Sequence, residues 1–512
     1  MKTNINVSCG FFAQCCGLLQ YSSALVLSLL LSACGGSDSG TVSVLEDTNT
    51  SGTQNWLQIV PAQRPDFDPS IHDYVIDCSA TAAVDITATA AALHGFVYLG
   101  STANPRPVWP DQEAALRQTV QLKPGQGFRF FLQSGGIYSV RCLPPDFPPL
   151  SVSVTGTPQS QWYVFAPDLG NDGDGNYVII TDAHGTPVWW LQEAAQFIVD
   201  AKVLDSNHIA WARQNAAGSY YIRDFDGTIS NTLTYPDLDI HDLQLTDKGT
   251  YYAIRYVPRV CPPDCADMSK WGGTAQMGVI DAEIVELDSN SNVLWSWRTR
   301  DHIDLAETGD IAWFPGIGTD IIHMNAVAPD GDDGVLFSAR HLNAIYRVIK
   351  STGAIDWKIG GVPRAESLTV LNDSRPTANG FNYISGQHDV RRWPDGTVSV
   401  HDNGTLVLRA PAVVRYQLDL TNRTAEVVQT ISDSRVTGSG CCGSARLLDG
   451  GNWLVQWGAA DYMTELDPSG NPVMTINYNL GTTFSYRAVP VQTGLVTAAT
   501  LRAGMDAIYA DP

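Results

Sequence analysis

Three of the ten histidines in this 512-residue chain, His241, His323 and His388, open segments of one form: a strand, a turn rich in Asp and Gly, and a return strand. The segments read "HDLQLTDKGTYYAIR", "HMNAVAPDGDDGVLFSAR" and "HDVRRWPDGTVSVHDNG". Imidazoles grouped at one register position can hold a metal, move protons or attack an electrophile. Arg340 ends the return strand of the second segment, which brings it back beside His323 as a fixed cation. Asn325, two residues after His323, shares its strand face. Three imidazoles and a guanidinium suit an oxyanion: a sulfate or phosphate ester, or a carboxylate. A metal is the alternative, because neutral imidazole suits zinc, copper or iron. Asp242 and Asp389 follow two of the histidines, but alternation turns them to the other face, to satisfy backbone groups or orient imidazoles. By the same alternation His341 points away from Arg340.

The elements that position these residues come from an internal repeat. Aligning the three segments with "VDAKVLDSNHIAWAR", "GSARLLDGGNWLVQWG" and "YRAVPVQTGLVTAATLR" puts Val199, His241, His323, His388, Gly443 and Tyr486 at one position. A second hairpin of the form strand–D-x-x-G–strand accompanies each, as in "YYIRDFDGTISNTL" and "EIVELDSNSNVLWSW". Two hairpins make a four-stranded antiparallel sheet, and six such sheets predict a six-bladed β-propeller over 159–512. Innermost strands of successive blades face one channel. The three histidines therefore meet although 82 and 65 residues separate them in sequence. No long helical periodicity competes, so the fold class is all-β.

Ahead of the repeat, short alternating strands such as "HDYVIDC", "GFRFFLQ" and "LSVSVTG" predict a small β-sandwich over 56–158, similar to cadherin-like bacterial modules and with no evident chemistry. An apolar run ending in "LSAC" resembles a bacterial lipobox: residues 1–33 read as a lipoprotein signal, Cys34 as the lipidated residue and 34–55 as a flexible tether. A cleaved secretory signal without lipid is the other reading. Either way the chain is exported, facing the periplasm or anchored to the outer membrane through Cys34. Export makes disulfides the expectation for the six cysteines after Cys34. Cys78 pairs with Cys142, Cys261 with Cys265, and Cys441 and Cys442 either bridge each other or join that loop; a zinc site is the alternative for these last four, but their spacing misses the usual C-x2-C knuckle. A net charge of −22 argues against a nucleic-acid partner, which needs clustered cations.

At the histidines the chain resembles the bacterial aryl-sulfate sulfotransferases. The matching segments are "DIHDLQL" (239–245), "DIIHMN" (320–325), "SARHLNAIYRVIKSTGAIDWKIGG" (338–361), "GQHDVRRWPDGTVSVHDNG" (386–404) and "SYRAV" (485–489). The resemblance implies a six-bladed propeller that moves a sulfuryl group from a phenolic sulfate to a phenol, with no cofactor or metal and no nucleotide donor. No G-x-x-x-x-G-K-[ST] phosphate loop occurs in the chain. It implies that His388 is the nucleophile, transiently sulfated. His241, His323 and Arg340, with Asn325, would bind the sulfuryl oxygens or handle the phenolic proton. Tyr486, with Phe381, Tyr383 and Phe484, would stack on the aromatic ring. Two other functions fit the same residues: an inactive propeller that only binds, and a metal-dependent ester hydrolase. "DLGNDGDGNY" (168–177) misses the EF-hand spacing and reads as a solvated turn.

Overall fold

A computed structural model describes residues 57–78, 82–88, 93–98, 107–108, 116–132, 137–168, 176–193, 197–214, 218–314, 318–375, 383–478 and 484–510. Cys34, the signal and tether readings, Phe381 and most of the 168–177 turn lie outside the described residues.

The chain is nearly all β. Each sheet from residue 151 onward has a core of antiparallel strands, extended in two of them by a short parallel pairing; Ile198–Val203, His208–Arg213, Ser219–Asp224 and Ile229–Thr234 make one sheet. The turns carry the D-x-x-G signature for a physical reason. In "DPSG", the Asp467 carboxylate accepts from the Ser469 and Asn471 amides, and Gly470 takes a φ of +87° that a side chain would oppose. Six such sheets begin with Ile198–Val203, Leu238–Leu245, Met324–Pro329, His388–Arg392, Ser444–Leu447 and Ser485–Pro490. Each of these strands touches the next, and the last touches the first, so they form a closed ring. The sixth sheet is composite: Ser485–Pro490 from the end of the chain pairs antiparallel with Trp162–Pro167. Buried tryptophans (Trp189, Trp190, Trp211, Trp357, Trp453 and Trp457) fill the space in and between sheets.

Two expectations about elements need correction. "LSVSVTG" does not join the N-terminal sheets: Ser151–Val154 pairs with Pro472–Asn477 as a fifth strand. That outer edge offers unpaired backbone groups, which the incoming strand satisfies. After Ser485–Pro490 the chain does not return as a strand but forms a helix, Ala498–Ile508. Its sequence "AATLRAGMDAI" is rich in Ala, Leu and Met, and the Thr497 hydroxyl caps it by accepting from the Thr500 amide. Leu501 and Met505 bury against the core, while Arg502 and Asp506 reach the N-terminal region: Arg502 to Asp73 at 2.8 Å, and Asp506 to Arg141 at 2.6 Å.

The N-terminal region has a three-stranded sheet (Leu57–Val60, Ala82–Ala88, Leu116–Leu122) and a six-stranded one that includes Asp73–Asp77, Gly127–Leu132 and Ile137–Leu143. Ile59, Val84 and Val120 of the first share one core with Tyr74, Phe128 and Val140 of the second. The Cys78–Cys142 disulfide lies within that core, and Cys261–Cys265 closes the "CPPDC" loop.

Candidate active site

His241 lies in strand Leu238–Leu245, His323 immediately precedes Met324–Pro329 and His388 begins His388–Arg392. All three are buried, as is Arg340. The His241 and His323 rings meet nearly perpendicular with centroids 5.0 Å apart. Tyr486 turns its edge to His241 at 5.6 Å and to His388 at 6.5 Å. Tyr256 packs against both His241 and His323, 5.7 and 5.8 Å away, and donates its hydroxyl to the Met324 carbonyl at 2.8 Å. Nothing in the repeat alignment singled out Tyr256, because it belongs to a second strand rather than to the aligned position.

Arg340 returns to His323 as the hairpin requires, its amide donating to the His323 carbonyl at 2.9 Å. His341 does not point away: its ring lies 4.8 Å from that of His323. The strand has ended by then. Arg340–Leu342 is a 3-10 turn, which abolishes the two-residue alternation on which the expectation rested.

Hydrogen bonding assigns the protonation of His388. Its Nδ1 faces two acceptors, the Asn403 Oδ1 at 2.8 Å and the Gly386 carbonyl at 3.0 Å, so Nδ1 carries the proton. Its Nε2 accepts from the Cys442 amide at 3.1 Å. Burial, with the charge of Arg340 adding to it, holds the imidazole pKa well below its ordinary value. His388 is thus a neutral imidazole with its lone pair on Nε2.

The other two imidazoles have carboxylates on Nδ1: Asp239 Oδ1 lies 2.5 Å from His241, and Asp320 Oδ2 lies 2.6 Å from His323. These orienting groups precede the histidines, in "DIHD" and "DIIH", and are not the aspartates Asp242 and Asp389 that follow a histidine. A carboxylate on one ring nitrogen fixes the tautomer and makes the other more basic. Burial lowers the His323 pKa against the pull of Asp320. Asp320 itself would be raised by burial, but His341 and His323 outweigh this and bring it down to about 2.

Asp242 and Asp389 orient no imidazole. With Asp200 they reach across to the next strand of the ring: Asp200 accepts from the Leu243 amide at 2.9 Å, Asp242 from Val327 at 3.0 Å and Asp389 from Ala445 at 2.9 Å. Lys202, Arg391, Arg446 and Arg487 neutralise them. Lys202 lies 2.8 Å from Asp200 and Arg446 2.7 Å from Asp389; Arg391 joins Asp242 to Asp389 at 2.9 Å each, and Arg487 joins Asp200 at 2.6 Å to Asp242 at 2.9 Å. Four cations meet three carboxylates in this layer, and the carboxylates of Asp239, Asp320 and Asp310 lie against His241, His323 and Arg340 beside it.

Asn325 is fully buried and donates its Nδ2 to the Gln387 carbonyl at 2.8 Å, bracing the residue before His388. Arg340 contacts Asp310 at 3.3 Å and the Gly440 carbonyl at 3.1 Å, yet its buried Nε–H has no hydrogen-bond partner among the described residues. A buried cationic donor with spare capacity is built to receive an acceptor oxygen. For a metal, the best grouping among the described residues is Asp320, His323 and His341, whose ligand atoms lie within 4.8 Å of one another. Of the aromatics expected to stack on a ring, Phe484 packs against Phe197 at 5.4 Å, and Tyr383 offers its carbonyl to Arg375 and Arg409. Cys441 and Cys442 are buried with their sulfurs 2.6 Å apart, but no disulfide joins them to each other or to the Cys261–Cys265 loop.

The site thus joins a neutral histidine with its lone pair on Nε2 to a guanidinium with an unused N–H, within a ring of β-strands in an all-β protein. The family model for arylsulfotransferase (ASST) matches residues 155–487. The chain belongs to the arylsulfotransferase family. No curated protein matches it. Similar solved structures include a protein of unknown function from Bacteroides caccae, at 10% identity and TM-score 0.39, covering 65% of this chain and 99% of that one. Another is TolB from Acinetobacter baumannii, at 13% identity and TM-score 0.37, covering 66% and 68%. A third is the Cps50 (Swd1) β-propeller domain of Myceliophteria thermophila, at 11% identity and TM-score 0.34, covering 65% and 90%.

Proposed function

We propose that the protein transfers a sulfuryl group from a phenolic sulfate ester to a phenol in two displacements through His388. The observation that carries this is the state of His388: buried, neutral, protonated on Nδ1 and with its lone pair on Nε2. Nε2 attacks sulfur, the sulfur–aryl oxygen bond breaks and the phenolate departs. A second phenol, losing its proton to a neighbouring imidazole, then attacks sulfur and regenerates neutral His388. Phenols have a pKa near ~10, so the leaving group needs little acid assistance. The Arg340 N–H groups receive charge on the sulfuryl oxygens, and His241 and His323, each backed by a carboxylate, exchange the phenolic proton. Two-step transfer gives ping-pong kinetics.

In this reading the six sheets are the blades of a propeller over 159–512, and the two N-terminal sheets are an appended sandwich that supplies no catalytic group. The chain is exported as a lipoprotein held by Cys34, which brings the site to phenolic sulfates on the periplasmic side of the membrane.

The test is incubation with p-nitrophenyl sulfate, with and without a phenol acceptor, following phenolate release and the mass of the His388 peptide. Acceptor-dependent release with a sulfated His388 is expected. The Asp320–His323–His341 grouping favours a second reading, a metal-dependent hydrolase. Release that needs no acceptor and stops with chelator would select it.

A further inference from the structure

Among the described residues, six carboxylates pair with the site or with the charged layer beside it, and five of them have a structural task. Asp239 and Asp320 orient His241 and His323, while Asp200, Asp242 and Asp389 tie the inner strands into a ring. Asp310 does neither. Its Oδ2 lies 3.3 Å from Nη1 of Arg340, whereas each of the other five has a cation or an imidazole at 2.9 Å or less. Its side chain is also the most exposed of the six, at 28%.

The backbone fixes this carboxylate in place. The Gly309 and Asp310 amides both donate to the His341 carbonyl, at 2.9 and 3.0 Å. Upstream, Glu307 is anchored on the buried Lys358 at 2.7 Å; downstream, Ala312–Phe314 pairs with Gly318–Asp320. Arg340 thus meets Asp310 at Nη1 and has Nε–H unused, so an oxyanion received by Nε shares one guanidinium with a carboxylate. Neighbouring charges ~4–6 Å apart shift equilibria by factors of ~10–10³. The layer does not offset this, because with it five cations face six carboxylates. Coulomb repulsion is proportional to charge, so a dianion is repelled twice as strongly as a monoanion.

We propose that Asp310 is a charge filter: it admits the singly charged sulfuryl group of an aryl sulfate and disfavours the doubly charged phosphoryl group of an aryl phosphate. The proposal rests on Arg340 holding the group that is transferred.

Two probes that carry no sulfuryl ester read this by calorimetric titration of the full chain at pH ~8. Benzylsulfonate is a monoanion with carbon in place of the ester oxygen. Phenyl phosphate is a dianion there, its second proton leaving near pH ~6. Wild type should bind benzylsulfonate the more tightly, by ~10-fold or more. Asp310→Asn, and equally Asp310→Ser, should tighten benzylsulfonate by ~10-fold and phenyl phosphate by ~10²-fold. A repacked loop with no electrostatic role would change both ligands by one factor, and that result overturns the filter. Arg340→Ala separates the filter from the reading beneath it. If benzylsulfonate binding is lost in Arg340→Ala while the preference is unmoved by Asp310→Asn, the filter alone falls. If benzylsulfonate does not bind wild type, or binds Arg340→Ala undiminished, the sulfuryl-site reading falls and the filter with it.

Discussion

Asn403 Oδ1 lies 2.8 Å from Nδ1 of His388 and fixes which nitrogen carries the lone pair. The two residues lie on opposite sides of one hairpin, fifteen positions apart in sequence. Replacing Asn403 by Ala removes the stronger of the two Nδ1 acceptors and frees the ring to change tautomer. Aryl sulfate turnover should fall ~10²-fold or more, because a misassigned tautomer has cost ~10⁴ in a histidine-dependent hydrolase. Asn403→Asp keeps an acceptor there and should recover much of the loss; equal rates for Ala and Asp would show that Nδ1 is not what Asn403 controls.

Arg340 supplies the spare buried N–H. Arg340→Lys keeps the charge but not the fork, and should lower kcat/KM for the donor by ~10²; Arg340→Ala should cost ~10²–10³. Steady-state kinetics with one aryl sulfate and saturating acceptor decides this. A lysine variant with wild-type rates would remove Arg340 from the sulfuryl site.

The histidines make stability depend on pH in a predictable direction. His388 and His323 are held neutral by burial, as are His401, whose pKa falls to about 4, and His341, whose pKa falls to about 3. Each has a lower pKa folded than unfolded, so its contribution is complete above the unfolded value and is lost as pH falls. Below pH ~6.5 the unfolded chain gains protons that the folded chain refuses. His401 alone accounts for about 3 kcal/mol between there and pH ~4. Urea midpoints should therefore drop steeply from pH 7 to pH 4.5. Over the same interval the intrinsic reactivity of the remaining folded His388 should hold, since it stays neutral. A midpoint flat across this range would contradict the assignment.

Arg487 has no exposed surface and joins Asp200 to Asp242. Arg487→Met leaves Asp200 and Asp242 to Lys202 and Arg391 and strips a hydrogen bond from the Asn325 carbonyl, which should cost roughly 1–3 kcal/mol in chemical denaturation. Exposed ion pairs such as Arg64–Asp77 should each contribute less than ~1 kcal/mol on removal. Comparable losses at the two sites would show that the central layer is not carrying the ring.

The repeat made the meeting of His241 and His323 legible, because equivalent positions in a ring of sheets converge whatever their separation in sequence. The disulfide partners Cys78 and Cys142 were readable for a simpler reason, each ending a strand of the same region. Period-two alternation failed at His341, where a 3-10 turn replaces the strand. It also said nothing about which carboxylate serves which imidazole: Asp239 and Asp320 act from upstream, through loop geometry that a strand pattern does not encode. The helix Ala498–Ile508 was hidden because the repeat implied a return strand, although its composition favoured a helix. Asn403 and Cys442 were out of reach, since Asn403 meets His388 by a side-chain bond across the mouth of their shared hairpin and Cys442 by a backbone bond from the segment that leads into the next sheet.

The strand Ser485–Pro490 pairs with Trp162–Pro167 and also carries Tyr486 and Arg487. The ring is thus fastened by residues synthesised after its other five inner strands. Until they emerge, the first sheet lacks a strand, His241 and His388 lack Tyr486, and Asp200 and Asp242 lack Arg487. A nascent chain stalled before residue 485 would hold all three histidines yet neither a closed ring nor a finished site. Assembly of the site therefore waits for the clasp: the ring and the site are completed together once elongation has passed residue 490, whatever order the earlier sheets fold in.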